Sequence, residues 1–442
     1  MLGTPKAFRA APDPPQGGRD GAHTGSGASL CWVKLSLANV PVSANHAGMK
    51  ASDIKDEDSL RLWLDARPLA ETITISQRVA LRVAPVWFAA METAWDNEGK
   101  FSNLAHLRLL ITAVATGANQ TQTMIRVGQV VFNTAISRLA FSSRIANPVK
   151  VPISGPDQSD LEPAWAARAA AGYALKLAFD PTSAILRSSD LVFAARAASR
   201  LNFKGVWERI KLDCAKMEEG QALDGVPLWG SISNPFQVEM KRTRTRWAQP
   251  NSPYTFWLRW YEAALEGRSL NPELERDIAL IPNAEWEKGA AHIAGLIALI
   301  EERFDLKAQV QALRQQLTFA QTAPADAAHR GHNQPPELID SAPEVQRQIT
   351  IIFDTLDDAE KELSKFAPSP SRLKVIGEAL LNSAAIIARY CGGIANKAVG
   401  AAAVAFGTAG GALAAAKLIQ FVTPVKTLGQ SITDFALKWL GG

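Results

Sequence analysis

The sequence predicts an all-α protein, and three observations support that prediction. Apolar residues recur at spacings of three and four along most of the chain, which is the period of one helix face. Alanine is abundant in these stretches, and proline and glycine stand between them. The composition, 47% hydrophobic and 20% charged, is that of a folded protein. With 442 residues, we expect two or three domains.

Changes in composition divide the chain into a disordered N-terminus, a multi-helix body, a Pro-rich linker and a separate C-terminal helical tail. The predicted bounds are 1–48 for the N-terminus, 49–320 for the body (subdomains 49–148 and 160–320), 321–341 for the linker and 342–442 for the tail. The N-terminus alternates Pro, Gly, Ser and Arg without a period. Because Met49 leads directly into an acidic helix start, one hypothesis places the start of translation there.

The first part of the body is predicted to surround one buried helix. In about Ser76–Trp95 the apolar residues lie nearly all round, which indicates a central helix, kinked at Pro85. Helices are also expected over 58–66, 103–116, 123–143, 164–178, 183–201 and 203–219. The last three are rich in alanine, and small side chains at helical spacing favour close packing between helix axes.

The densest basic run of the chain follows a turn-rich connector. Its cationic residues are Lys241, Arg242, Arg244 and Arg246. They are candidates for phosphate contacts, with Trp247 available for stacking on a base. The alternative, which we favour, is a solvated helix face that pairs with nearby acids.

Aromatic residues at helical spacing follow at Phe256, Trp257, Trp260 and Tyr261, and such a stripe is more typical of a core than of a pocket. Asn283 is then expected to cap one long helix that starts at Ala284. Further along this helix, a 4-3-4 spacing predicts a short coiled-coil seam. The seam residues are Leu306, Val310, Leu313 and Leu317.

The linker contains a candidate partner motif with two consecutive prolines, which favour an extended segment. The motif residues are Gly331, His332, Asn333, Gln334, Pro335, Pro336 and Glu337. His329 and His332 invite a metal interpretation, but the sequence offers no Cys and no second His pair to complete a site.

Several of these elements together resemble a family of uncharacterised alphaproteobacterial proteins that is associated with mobile elements. The resemblance covers most of 50–420 and is carried by the SLRLWLDARP stretch at 59–68, the WxxWYxxxLxG pattern at 257–267, the IALIP run at 278–282 with Trp286 and Gly289, and the GHNxPPE element at 331–337. It implies a shared helical architecture. It implies no activity and no catalytic residue.

The tail combines positive charge with a neutral, apolar window at 398–416. From Pro370 onward the chain contains seven basic and two acidic residues. This part therefore has a net charge of +5, and the remainder of the chain has a net charge of −1. The window is long enough for a weak transmembrane-like helix, which we expect to be separated from an amphipathic helix by Gly392-Gly393. Its GxxxG spacing would let two helices approach closely. The candidate membrane or helix-packing residues are Val399, Val404, Phe406, Gly407, Gly411, Leu413 and Trp439.

These patterns predict a non-enzymatic protein with no catalytic, cofactor-binding or metal-binding residues. P-loop, HExxH, GxSxG and dinucleotide fingerprints are all lacking, and Cys31, Cys214 and Cys391 lie too far apart for a CxxC site. We expect a cytoplasmic protein whose tail binds membrane lipid of the inner membrane, a protein partner or both, with self-association as an option. The alternative is a soluble helical interaction or scaffold protein. Nucleic-acid binding through 241–247 has the least support.

Overall fold

The computed structural model confirms an all-α protein, with helices and no strands in the residues that it describes. These are 49–94, 103–146, 158–180, 196–197, 203–322, 342–401 and 409–441. The chain divides into two compact units between Ala294 and Gly295, inside one long helix. The helical unit contains residues up to Ala294, and the C-terminal unit begins at Gly295.

The first described element of the helical unit is a short turn of 3-10 helix at Ala51–Asp53. Its helices are α1 (Glu57–Asp65), α2 (Leu69–Ala94), α3 (Asn103–Ala118), α4 (Gln122–Ala146), α5 (Gln158–Phe179), α6 (Phe203–Glu218), α7 (Gln237–Trp247), α8 (Thr255–Leu265), α9 (Pro272–Ala279) and α10 (Asn283–Trp286). Capping residues in the local sequence explain where several of these helices begin. Asp56 caps α1 by accepting a hydrogen bond from the backbone N–H of Ser59, and Asn271 caps α9 just before Pro272.

Helix α2 is the centre of this unit, as its all-round apolar pattern predicts. It packs against α3, α5, α6 and α7. Side chains on every side of it are buried, among them Val79, Val83, Trp87 and Phe88. Pro85 lies inside the helix. The predicted central helix is therefore confirmed, with a start at Leu69.

Alanine allows α5 to lie close to α2. Ala167, Ala170, Ala171 and Ala174 are all fully buried, which confirms the predicted close packing through small side chains. The aromatic stripe of α8 is also confirmed as core: Trp257 and Tyr261 are completely buried, and the Tyr261 hydroxyl donates a hydrogen bond of 2.7 Å to the carbonyl oxygen of Leu81 on α2.

The C-terminal unit is an up-down-up-down four-helix bundle. Its helices are α11 (Ala290–Thr322, from Gly295 onward), α12 (Ala342–Leu363), α13 (Pro370–Ala401) and α14 (Ala409–Gly441). Gln311 on α11 donates to Glu360 on α12 at 2.7 Å. Lys438, near the end of α14, pairs at 2.6 Å with Glu302, near the start of α11. Each helix is thus antiparallel to its sequence neighbour, and α14 returns beside α11.

One hydrophobic core runs along the axis of this bundle. It takes Leu306, Val310, Leu313 and Leu317 from α11, Ile352, Leu356, Ala359 and Leu363 from α12, Leu373, Ile376, Leu380, Ala384 and Ile387 from α13, and Val425, Leu428, Ile432, Phe435, Ala436 and Trp439 from α14. Fully burying one large apolar side chain stabilises a fold by about 1.5–3 kcal/mol. The residues of the expected coiled-coil seam therefore lie inside the bundle, and so does Trp439.

Three expected helix boundaries were wrong. Pro163 lies within α5 instead of preceding it. Asn283 does not cap a long helix: α10 ends at Trp286, and Gly289, with φ of +96°, separates it from α11. Helix α13 continues through Gly392-Gly393 to Ala401. Two glycines cost about 2 kcal/mol of helix propensity relative to alanine, and the long contact of α13 with α14 outweighs that cost.

The apolar window at 398–416 is not a single helix. Its first residues belong to α13, which is described to Ala401, and its last belong to α14, which is described from Ala409 and runs antiparallel to α13, while 402–408 lie outside the described residues. No helix among the described residues is both long and apolar enough to cross a membrane. A transmembrane-like segment is therefore not supported by the structure.

Candidate binding pocket

A pocket of about 60 Å³ opens among α3, α4, α5 and α10 of the helical unit. It is lined by Leu104, Ala105, Arg108, Leu109, Val131, Thr134, Ala135, Arg168, Asn283, Trp286 and Glu287. The helical repeat explains these positions, because residues three and four apart on α3 and on α4 project from the same side. Apolar walls with a few convergent polar groups are typical of ligand sites.

Arg108 lies at one wall of the pocket and is buried, with only 7% of its surface exposed. Its guanidinium lies over the indole of Trp286, 4.9 Å from the ring centroid. It also donates a hydrogen bond to the side-chain oxygen of Asn283. Trp286 is held in turn by a hydrogen bond of 3.1 Å from its indole N–H to the carbonyl oxygen of Ile281. The short α10 thus positions these two partners of Arg108.

Arg168 brings a second buried cation to the pocket, with 2% of its surface exposed. Its guanidinium lies over Trp87, 5.0 Å from the ring centroid. His106 stacks on Trp87 at 5.4 Å and is fully buried. Burial, together with the positive charge of Arg168, holds the pKa of His106 well below its ordinary value of 6.5. His106 is therefore neutral at neutral pH, and positive charge beside the pocket comes from the arginines.

The charged residues that line the pocket are two arginines and one glutamate. Arg108 and Arg168 are buried, whereas Glu287 is exposed at the rim. The lining therefore carries one net positive charge at neutral pH. Because the surrounding walls are apolar, the local dielectric is low and this charge interacts more strongly than it would in water.

A separate cluster of buried charges joins α2 to α6. Asp213 on α6 is fully buried and accepts hydrogen bonds from Arg78, at 2.7 Å, and from Arg82. Arg209 completes the cluster at 3.4 Å from the same carboxylate. Three guanidinium groups thus share one carboxylate. Within this cluster, burial lowers the pKa of the Arg82 guanidinium to about 10, and its pairing with Asp213 opposes that shift.

Backbone carbonyl groups provide the other partners of this arginine cluster. Arg82 and Arg209 each donate to the carbonyl oxygen of Leu228 at 2.9 Å. Arg78 donates to that of Val226 at 2.9 Å. The segment around 223–228 is therefore clamped onto α2 and α6 by charged hydrogen bonds. We interpret the cluster as structural, because its donors are aimed at the chain itself.

The basic run that the sequence singled out lies on the exposed side of α7. Lys241, Arg242, Arg244 and Arg246 are all exposed, while Thr243 and Trp247 between them are buried. Arg244 forms an ion pair of 2.7 Å with Glu262 on α8. Trp247 stacks on Tyr254 in the core, at 5.1 Å.

The other candidate residues are described only in part. The motif at 331–337 lies outside the described residues, and so do Val404, Phe406 and Gly407. Val399, Gly411 and Leu413 lie on described stretches of α13 and α14, but their side chains are not described. The pocket and the arginine cluster were missed by the sequence analysis. Arg78 and Arg82, one turn apart in an apolar helix, were the available signal for the cluster.

Two reactive side chains, those of Cys214 and Tyr261, are fully buried. Burial raises the pKa of the Cys214 thiol and that of the Tyr261 hydroxyl far above their ordinary values, so both stay protonated. Among the described ranges, no group of three or more His, Cys, Asp or Glu side chains is placed to hold a metal ion.

These features define an all-α protein with a helical unit that contains a pocket and a C-terminal four-helix bundle. Comparison of the chain with family models, with curated proteins and with solved structures gives no match. The functional argument therefore rests on the residues themselves.

Proposed function

We propose that this chain is a non-enzymatic helical interaction protein, a scaffold component whose contact surface is the end of the α13–α14 hairpin. A single observation carries the proposal: among the described residues, this hairpin extends further than the two helices that accompany it. Leu317, Ile349, Ile387 and Phe421, one from each helix, line the same small apolar cavity and mark a common level of the bundle.

Beyond that level the four helices continue for different lengths. Helix α13 continues for 14 residues to Ala401, and α14 has 12 residues between Ala409 and Phe421. In the part of the chain that the structure describes, α11 has 5 more residues and α12 has 7. At 1.5 Å per residue, the hairpin extends past its neighbours by roughly 8 Å or more. Its extension is rich in alanine and glycine, with no charged residue between Lys397 and Lys417.

The charge of the bundle supports a protein partner more than an anionic membrane. Residues 295–442 contain fourteen basic and fourteen acidic residues, so this unit is neutral. Most of the tail's positive charge is balanced by the acidic α12, which pairs with its neighbours through contacts such as Asp357 with Arg314 at 3.1 Å. Attraction to anionic lipid requires a cluster of unbalanced cations. The sequence predicts a cytoplasmic protein that is attached to the membrane by its tail. That prediction remains the alternative to the present proposal.

Lysine cross-linking in cells that produce the chain tests the proposal, because Lys397 and Lys417 flank the hairpin end. We expect both residues to cross-link to a second polypeptide, either another protein or an isotopically labelled second copy. Lys361 on α12, whose side chain is 75% exposed, is the matched control and should cross-link only within the chain. Exclusively intrachain products at Lys397 and Lys417 would contradict the proposal. Flotation of the purified chain with lipid vesicles would assign the hairpin to the membrane instead.

A further inference from the structure

We propose that the exposed face of α7 binds the phosphate backbone of double-stranded DNA. This face belongs to the helical unit, is separate from the hairpin end and goes beyond the interaction role proposed above. The inner side holds the helix in place, since Met240, Thr243 and Trp247 are buried and α7 packs against α2. The outer side is left to solvent. Its exposed residues are Gln237, Val238, Lys241, Arg242, Arg244, Thr245 and Arg246.

Positive charge in the helical unit is concentrated on α7. Residues 49–294 contain 29 basic and 27 acidic residues, a net charge of +2. Four of those basic residues and one acidic residue, Glu239, lie on α7, whose net charge is therefore +3. The rest of the unit is close to neutral, so α7 is the part of it that most strongly attracts a polyanion.

Two of the four cations have no acidic partner in the part of the chain that the structure describes. No carboxylate group there forms an ion pair with Lys241 or Arg242, whereas Arg244 pairs with Glu262 at 2.7 Å. Both side chains are exposed, near the middle of the helix. Phosphate groups that pair with such cations release their bound counterions, which drives association. The proposal therefore depends on Lys241 and Arg242.

The position of Trp247 favours a duplex over a single strand. Sequence-tolerant binding of single strands depends on aromatic side chains that stack on successive bases. Trp247 is buried and stacks on Tyr254, with ring centroids 5.1 Å apart, and none of the exposed residues of α7 is aromatic. A single strand would therefore gain only phosphate contacts at this face. Duplex DNA offers those contacts at a higher charge density.

The shape of the helix favours DNA over RNA. Helix α7 has 11 residues, so it is roughly 16 Å long. The major groove of B-form DNA is about 12 Å wide and admits an α-helix, so that cations on the helix reach the phosphates at the groove edges. The major groove of A-form RNA is too narrow for side chains to enter. The outer face of α7 therefore suits duplex DNA.

Binding of the purified full-length chain to a short fluorescein-labelled DNA duplex tests the proposal. Fluorescence anisotropy, measured over a series of sodium chloride concentrations, gives the affinity and its salt dependence. If Lys241 and Arg242 each neutralise one phosphate, the slope of log K against log salt should be about −2. We expect weaker binding to the single strand of the same sequence and to the equivalent RNA duplex. No saturable binding of the DNA duplex, or equal affinities for the three nucleic acids, would overturn the proposal.

Two double variants with the same change in net charge separate this face from a general attraction of DNA to positive charge. Lys241→Gln with Arg242→Gln should remove most of the salt dependence, since each lost phosphate contact reduces the slope by about 1. Lys211→Gln with Arg268→Gln changes basic residues that already pair with acids of the same unit, and it should keep both the affinity and the slope. Equal losses in both variants, or an unchanged slope in the first, would overturn the proposal.

An anionic membrane is the competing partner for these cations. Flotation with vesicles that contain phosphatidylserine measures such binding, and we expect the Lys241→Gln with Arg242→Gln variant to behave as the wild type does. Flotation that requires Lys241 and Arg242, without binding to DNA, would assign the face to a membrane and overturn the proposal. Because the hairpin end is unchanged in this variant, its cross-linking remains an independent test of the proposed function.

Discussion

Gly377 and Gly429 face each other where α13 crosses α14, and neither position has room for a methyl group. A Cβ atom added to Gly377 would lie 2.7 Å from the carbonyl oxygen of Gly429, and one added to Gly429 would lie 2.9 Å from the carbonyl oxygen of Gly377. The two backbones are therefore in close contact, in the manner expected of small residues at a helix crossing. The GxxxG spacing predicted such a contact at Gly407 and Gly411 instead.

Gly377→Ala is expected to destabilise the bundle by about 1–3 kcal/mol, because the added methyl group must push the helices apart. Hydrogen exchange of peptides from α13 and α14 measures this loss within the C-terminal unit. Gly295→Ala on α11 is the matched control. Nothing lies within 4 Å of that position, so alanine should be neutral or stabilise by up to about 1 kcal/mol. Equal protection in wild type and Gly377→Ala would show that the helices do not touch there.

Asp213→Asn is expected to cost about 3–5 kcal/mol of unfolding free energy, because three buried guanidinium groups lose the carboxylate that they share. Urea denaturation of the full-length chain measures the loss. Glu262→Gln provides the comparison, since it removes an exposed partner of Arg244 and should cost less than about 1 kcal/mol. A similar small effect for both variants would contradict the clamping role of Asp213.

His106 is expected to make the helical unit sensitive to acid. The folded state keeps the ring neutral, whereas the unfolded chain takes up a proton near pH 6.5. The stability from His106 is thus fully present above that pH and is lost as the pH falls, at about 1.4 kcal/mol per pH unit for one proton. His106→Phe should keep the stacking on Trp87 and remove this slope. Parallel stability curves for both proteins between pH 7 and 5 would refute the prediction.

Gly267 should tolerate alanine less well than Gly220 does. Both have positive φ, +76° and +75°, a conformation that costs a residue with a Cβ about 1–2 kcal/mol. At Gly267 the Cβ would also lie 2.7 Å from the backbone nitrogen of Val226, whereas nothing lies within 4 Å at Gly220. Urea denaturation should therefore show a larger loss for Gly267→Ala than for Gly220→Ala. The difference measures how tightly the segment around Val226 is held.

Local periodicity was sufficient to predict which faces are buried. The all-round apolar pattern identified α2 as central, and the stripe from Val425 to Trp439 became the core face of α14. Both patterns repeat within one helix, so neighbouring residues contain the whole signal. Helix ends were less predictable, since the packing of α13 on α14 decides whether Gly392-Gly393 ends a helix.

The pocket and the arginine cluster could not be predicted in the same way. Arg82 and Asp213 are 131 residues apart, and Arg108 and Asn283 are 175 apart. Nothing in the local sequence indicates these pairs. The positive charge of the tail favoured a membrane interpretation for a related reason. Most of the acids that balance this charge are on α12, and only the tertiary fold shows that α12 packs in the same bundle. The neutral charge of 295–442 is visible only once that unit is defined.

The central claim is that the C-terminal apolar stripe is buried in a bundle that the chain forms by itself, with α14 beside α11. Carbodiimide coupling, which joins an amine directly to a carboxylate without a spacer, tests it most directly. The side chains of Glu302 and Lys438 approach to 2.6 Å, so an intramolecular amide should form between them. Lys426, roughly 18 Å from Lys438 along α14, should not couple to Glu302. Failure of the coupling at Lys438, or equal coupling of Lys426 and Lys438 to Glu302, would contradict the account.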